Sequence, residues 1–436
     1  MRIAYIATGA AGMYCGTCLH DNALAAALQR MGHDAALIPT YTPLRTDEEG
    51  VGIERIFMGA VNVYLQQVAA PFRKLPQVFA RWLDRPGLLR WAARMGASTD
   101  PAGLGPLTLS MLRGADGNQA RELEKLVAWL REDFRPEVVH LNNSMLAGFA
   151  QSLKRALPGV PVLCSVQGED LFLDGLAEPW RGRVRKELTA RVREIDGFVA
   201  NSRYYADFMA EFLGVARGRF AVVPLGLSLT GHGEQEKERD GSGPLTVGYF
   251  ARLCPEKGLG LAVEAFRLLA GRFPAGSVRL RAAGYLAERD RRFVEEQRRR
   301  IADWGLAEQV EITGEVDREE KIAFLRTLDV LTMPALYREP KGLPVLEALA
   351  NGVPAVVPRH GAFPELIEAT GGGMLVEPGS AEALADGLAE LLVDEGRRRE
   401  MGRRGREAVQ ARFSDRRVAE DLLAVYGRVI AERPAA

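Results

Sequence analysis

The chain has 436 residues, 47% of them hydrophobic and 26% charged, with 57 basic residues matched by 57 acidic ones. That length implies two or three domains with cores of their own and excludes a peptide scaffold or a disordered chain. A formal net charge of zero gives no global field to hold a polyanion, so no nucleic-acid partner is expected.

The N-terminus, MRIAYIATGAAGMYCG, holds an apolar run too short for a signal peptide or a membrane span, and no run of about eighteen apolar residues follows it. Four cysteines are too few for a disulfide framework, which points to a reducing, cytoplasmic location. The first strand is read at Ile3 to Ala7 and the first helix at His20 to Met31, with Gly32 as its stop. Between them, Gly9, Gly12 and Gly16 bring the backbone close enough for a phosphate or sugar at a helix N-terminus; a merely structural tight turn is the competing reading. The spacing is not the dinucleotide fingerprint, and the second strand ends Leu37-Ile38-Pro39 without an acidic residue. The same loop holds Cys15 and Cys18 as C-x-x-C at a helix start, where the dipole lowers a thiol pKa and redox or metal chemistry is open. No second cysteine pair completes a zinc site, and Cys164 and Cys254 read as buried small hydrophobes.

Further strands are read at Ala35 to Pro39, Glu137 to Leu141, Pro161 to Val166, Phe198 to Ala200 and Phe220 to Pro224. The segment from about 41 to 121 breaks the alternation and looks like a helical insertion. Within it, Phe72 to Met95 mixes aromatics with arginines, which suits weak peripheral contact with an anionic membrane or a helical pair packed on its own domain. After SLTGHGEQEKERDGSGP, read as an exposed linker, the pattern restarts. Its strands fall at Leu245 to Arg252, Val278 to Ala283, Val310 to Thr313, Val330 to Met333, Ala355 to Val357 and Met374 to Val376.

Short strands alternating with helices predict an α/β chain of two doubly wound, Rossmann-like domains with a cleft between their carboxyl edges, where ligands of open parallel sheets bind. The predicted boundaries are 1–228, a linker at 229–244, 245–412, and a terminal helix at 413–436 that either completes the second domain or crosses back to the first.

Two stretches of the second half carry the chemistry. The loop after its first strand holds Arg252 and Lys257; only eight of the 57 basic residues are lysine, so a lysine here is less easily an accident. A planar guanidinium and a compact ammonium together neutralise a diphosphate without a metal, although two solvated loop charges remain the bland alternative. Further on, Tyr337-Arg338-Glu339-Pro340-Lys341-Gly342-Leu343-Pro344-Val345-Leu346-Glu347 sets two carboxylates eight residues apart. Pro344 fits the first turn of a helix, and Gly342 and Leu343 would aim backbone N–H groups at a ligand. A carboxylate takes both vicinal hydroxyls of a ribose, and the other holds those of a sugar.

These strings, with the glycine loop, Gly361-Ala362-Phe363-Pro364-Glu365 and Gly371-Gly372-Gly373, resemble the family 4 retaining glycosyltransferases, which have the GT-B fold. The resemblance implies that Arg252 and Lys257 bind the donor diphosphate, Glu347 the ribose and Glu339 the transferred sugar, with Gly342 and Leu343 presenting amides. Gly284, after the strand Val278 to Ala283, is a further expected contact, as are the glycines of the first loop. It also implies a nucleoside-diphosphate sugar as substrate, no cofactor or metal, and an acceptor that is a sugar, a lipid-linked molecule or a small molecule. Two positions depart from the pattern. Lys341 stands where the family commonly has an aromatic. Gln167-Gly168-Glu169-Asp170 stands where it often has His-Gly-x-Asp, so no role that needs a titrating imidazole passes to Gln167. Gln167, Asp170 and His140, at a strand end, are the candidates in the first half, although a strand-end histidine is more often structural. An epimerase or phosphorylase of the same fold, a non-catalytic nucleotide-sugar sensor, and a redox-regulated binding protein using Cys15 and Cys18 are the competing functions.

Overall fold

The computed structural model describes residues 1–9, 16–42, 44, 46–68, 101–233 and 243–432. The chain divides into two compact units, one of residues 1–226 with 418–436 and one of 227–417.

In the first unit, β1 (Arg2–Thr8), β2 (Asp34–Tyr41), β3 (Phe57–Gly59), β4 (Val138–Leu141), β5 (Val162–Val166), β6 (Gly197–Ala200) and β7 (Phe220–Val222) form a parallel sheet in the order 3-2-1-4-5-6-7. Its central strands read as unbroken apolar runs because both faces are buried. Along β1, Ala4 and Ile6 enter one apolar cluster while Ile3, Tyr5 and Ala7 enter the other. Val418, Leu422, Val425 and Tyr426 of the last helix, Asp415–Ala431, pack into that second cluster with Tyr5. Of the two placements open for this helix, it therefore takes the one on the first sheet.

The second unit repeats the plan with β8 (Leu245–Phe250), β9 (Val278–Ala283), β10 (Val310–Ile312), β11 (Val330–Thr332), β12 (Ala355–Pro358) and β13 (Gly373–Val376), all parallel, in the order 10-9-8-11-12-13. Strand order reverses between β1 and β4 in one sheet and between β8 and β11 in the other. Loops leaving these strands at their carboxyl ends diverge and open a crevice.

Two expectations are corrected. The region 41–121 is not simply inserted: β3 extends the sheet beside β2, and Val63, Leu109, Met111 and Leu112 join the core. A three-residue strand is too short to show a period, which is why it escapes a reading of the sequence. The start of the linker is also not free. Arg318 donates to the carbonyls of Ser228 (3.2 Å) and Thr230 (2.9 Å), Arg326 to that of Gly231 (2.6 Å), and buried His232 meets Asn351 at 2.8 Å. Residues 234–242 and the segment Phe72 to Met95 lie outside the described residues.

Candidate active site

The loops after β8 and β11 flank the crevice of the second sheet. After β8 the chain passes through Arg252 to Gly258, which caps the helix Leu259–Ala270. Arg252 is exposed, and its guanidinium has no hydrogen-bond or ion-pair partner among the described residues. Lys257 reaches across to the loop after β11. Its Nζ lies 2.6 Å from Glu339 Oε2 and 2.5 Å from Tyr337 Oη, and sits 5.0 Å over the Tyr337 ring. Tyr337 Oη in turn donates to Glu339 Oε2 at 2.5 Å.

Glu339 is 3% exposed. Burial alone would raise its pKa, but the Lys257 charge and the hydrogen bonds from Lys257, Tyr337 and Gly342 outweigh it and bring the carboxyl down to about 2. Its other oxygen accepts from the amides of Lys341 (3.2 Å) and Gly342 (3.4 Å). Behind it, the Ala362 amide donates to the Glu339 carbonyl at 2.8 Å.

The helix Leu343–Ala350 starts at Gly342, whose φ of 74° is left-handed and suits glycine. The expected pair of free amides is half occupied, since Gly342 already turns its N–H onto Glu339; Leu343, at the first helical position, has no acceptor within its helix. Glu347 stands in the second turn, 5% exposed, with Oε1 held 2.7 Å from Lys321 Nζ. Gly284 is where a Cβ would strike the Ala251 carbonyl, so its requirement is close packing of two backbones beneath Arg252.

In the first unit the edge residues form one buried polar cluster. Asp21 accepts from Tyr5 Oη (2.8 Å), Asn142 Nδ2 (2.8 Å) and Gln167 Nε2 (3.1 Å). Gln167 also donates to the Asn142 carbonyl at 3.1 Å, while its Oε1 is buried without a partner. Gln167 lines a pocket of about 20 Å³ with His20, Ser165, Leu422 and Asn201, and the Asn201 side-chain amide is likewise unpartnered. The pocket has room for a water-sized polar group. Glu169 takes the Ser144 hydroxyl (2.7 Å) and the Gln167 amide (2.7 Å), and burial still pushes its carboxyl up. Asp170 accepts from Tyr205 Oη at 2.6 Å. Gly9 donates its amide to the Thr40 carbonyl at 3.1 Å, Gly16 begins the helix Gly16–Arg30, and Gly12 and Cys15 lie outside the described residues. Cys18, Cys164 and Cys254 are buried free thiols.

His140 is the clear misplacement. It is 0% exposed, stacked on Tyr5 at 4.7 Å, with Nδ1 against Tyr426 Oη (2.6 Å) and Nε2 against Ser165 Oγ (2.7 Å). Both ring nitrogens are taken, so it has none for a ligand. Burial, helped by the His20 charge, lowers its pKa to about 3. An unfolded histidine binds its proton near 6.5 and the folded one does not, so stability is fully present above that pH and falls as pH drops toward 3, by up to about 5 kcal/mol. His140→Gln should flatten this loss and leave nucleotide binding unchanged; urea melts at pH 7.5 and 4.5 measure it.

The residues that a reading of the sequence missed are Tyr337, Lys321, Asp21 and Asn201. Lysine scarcity, which drew attention to Lys257, applied equally to Lys321. Among the described residues no group of three His, Cys, Asp or Glu could hold a metal ion, and no helix is long and apolar enough to cross a membrane.

Two parallel, doubly wound units, the second with a cation–tyrosine–carboxylate cluster at its switch point, define the GT-B class of architecture. The family model for glycosyl transferases group 1 matches residues 233–408, and that for the glycosyl transferase 4-like domain matches residues 20–226. The chain belongs to the family 4 type of GT-B glycosyltransferases. It is 33% identical over 174 residues to a GDP-mannose-dependent phosphatidylinositol monomannoside mannosyltransferase of Mycobacterium tuberculosis, covering 38% of this chain and 43% of that one. It is 29% identical over 247 residues to D-inositol 3-phosphate glycosyltransferase of Nocardia farcinica, covering 55% and 54%. The chain thus spans about half the length of these curated relatives. Its fold is similar to that of sucrose-phosphate synthase from Thermosynechococcus elongatus (TM-score 0.70, 18% identity, 99% and 100% of the two chains). It is also similar to that of Anabaena HepE in complex with UDP and glucose (TM-score 0.66, 16% identity, 98% and 100%).

Proposed function

We propose that the protein transfers a sugar from a nucleoside-diphosphate sugar to a hydroxyl acceptor with retention at the anomeric carbon. The observation that carries this reading is the Lys257–Tyr337–Glu339 cluster at the switch point, beside Arg252, whose guanidinium is unpaired among the described residues. Arg252 and Lys257 take the donor diphosphate, Glu347 the ribose, and Glu339 the hydroxyls of the transferred sugar. As the bond from C1 to the β-phosphate oxygen breaks, negative charge grows on that phosphate, and the two cations stabilise it where it develops. The acceptor oxygen bonds to C1 from the same face, and its proton passes to the departing phosphate. No side-chain base is required, which agrees with a glutamine at position 167. The polar edge of the first unit, with Gln167 Oε1 and the Asn201 side-chain amide left without partners, suits neutral hydroxyls better than a charged group.

The Mycobacterium relative is named for GDP-mannose and HepE was crystallised with UDP, so the base of the donor is a matter for experiment. A thermal-shift screen over UDP, GDP and ADP and their sugars should single out one series, because a ligand that binds only the native state raises apparent stability by mass action. Incubation with that donor and an acceptor pool should then release free nucleotide in proportion to glycosylated product. Binding without release would leave a sensor in place of a transferase.

A further inference from the structure

We propose that Lys321 is a positioning residue for nucleoside recognition: it fixes the Glu347 carboxylate in the orientation that selects a ribose over a 2′-deoxyribose. The inference rests on reading Glu347 as the ribose ligand.

Lys321 lies in the helix Arg318–Arg326, which opens with a capping box of Asp317 and Glu320. The buried positions of that helix are Lys321, Ile322, Phe324 and Leu325. Three are filled as a core-facing stripe demands; the fourth carries an ammonium that is 4% exposed. Its partner is as unusual. Glu347 is the one charged residue in Leu343–Ala350, whose Leu343, Val345, Leu346, Ala348, Leu349 and Ala350 are all buried. Two charges have been brought out of water into apolar surroundings and set 2.7 Å apart.

Such a pair seldom stabilises a fold. The desolvation of both ions consumes most of their attraction, and a well-packed apolar pair of similar volume is often as stable or more so. What the pair supplies is geometry. With Oε1 tied to Lys321, the carboxylate cannot rotate about its last torsion, which is otherwise broad. Oε2 then keeps a fixed direction, and a fixed acceptor loses less entropy on meeting a hydroxyl.

The test uses the full-length protein and UDP, GDP and ADP, each paired with its 2′-deoxy counterpart, with affinities from calorimetry. The wild type should prefer the ribonucleotide of its series by about tenfold or more, the worth of one hydrogen bond to a charged group. Lys321→Met should reduce that preference to about twofold or less, and Lys321→Arg should restore part of it. In a Glu347→Gln background, Lys321→Met should have no further effect on the preference, since it acts through that carboxylate. Lys321→Met alone leaves Glu347 buried without its cation and will lower the melting temperature. Lys321→Met with Glu347→Met removes both charges; it should melt no lower than the wild type and still show no ribose preference. A Lys321→Met protein that keeps the full preference overturns the inference, as does a preference lost additively in the double variant. If no nucleotide binds the wild type, the nucleotide-binding reading itself falls and takes this inference with it.

Discussion

Arg252→Ala should lower turnover by about 10²-fold to 10³-fold, the usual cost of removing one group aimed at charge that develops in a transition state. It should do so at little cost in folding, because Arg252 is an exposed residue and its guanidinium has no hydrogen-bond or ion-pair partner among the described residues. Unfolding free energies of variant and wild type should agree within about 0.5 kcal/mol, as for ordinary surface substitutions. Lys257→Ala should lose a similar factor in rate but behave differently on unfolding. Its ammonium, 15% exposed, is paired at 2.6 Å with a carboxylate that is 4% exposed, and removing one partner of a fully buried pair typically costs about 3 to 5 kcal/mol, an upper bound for this part-buried one. The contrast separates a group that waits for the ligand from one that also holds the empty site together. Single-turnover rates with saturating donor, alongside urea unfolding of both variants, supply the comparison. A loss of less than about threefold for Arg252→Ala, where 1.36 kcal/mol corresponds to tenfold, would show that no charge grows beside it.

How much of this was visible in the sequence depends on chain distance. Parallel strands buried on both faces leave continuous apolar runs, so Val278–Ala283 is bounded in the structure as the pattern predicts. The glutamate motif is equally local, because a short loop and one helix carry it. Tyr337 is another matter: its role depends on a lysine 80 residues earlier, and nothing at either position announces the meeting. The pairing of Lys321 with Glu347 spans two helices, and a buried lysine looks in sequence like a solvated one. His140 misled for a related reason. A histidine near a carboxyl edge suggests a ligand, but alternation along β4 turns it to the face that the last helix covers, and the partner there, Tyr426, is 286 residues away. Only knowing where that helix packs decides between a binding and a structural histidine.

The same geometry gives Glu339→Gln an effect that depends on pH in a defined direction. The carboxyl titrates at about 2 in the folded chain against an ordinary 4.5, so its charged form is favoured by folding. A depressed acid contributes stability that is fully present above its unfolded value and is lost as pH falls through the folded one. The window is therefore pH 4.5 down to about 2, and the contribution is about 3 kcal/mol. Glutamine cannot reproduce the site. Glu339 accepts from Lys257 and Tyr337 at one oxygen and from the Lys341 and Gly342 amides at the other, whereas an amide has one accepting oxygen and turns an NH₂ toward the remaining donors. At pH 7 Glu339→Gln should be less stable than the wild type and slower in transfer, since Lys257 would lose its counter-charge and its fixed place. As pH falls from 4.5 the two unfolding free energies should converge, the wild type losing the advantage that the variant never had. His140 changes both proteins alike from 6.5 toward 3, so the difference between them isolates Glu339. A gap that stays constant from pH 7 to 2.5 would mean that Lys257 does not hold the carboxyl in its charged form, and that the cluster at the switch point is not the preformed ion pair on which the transfer chemistry depends.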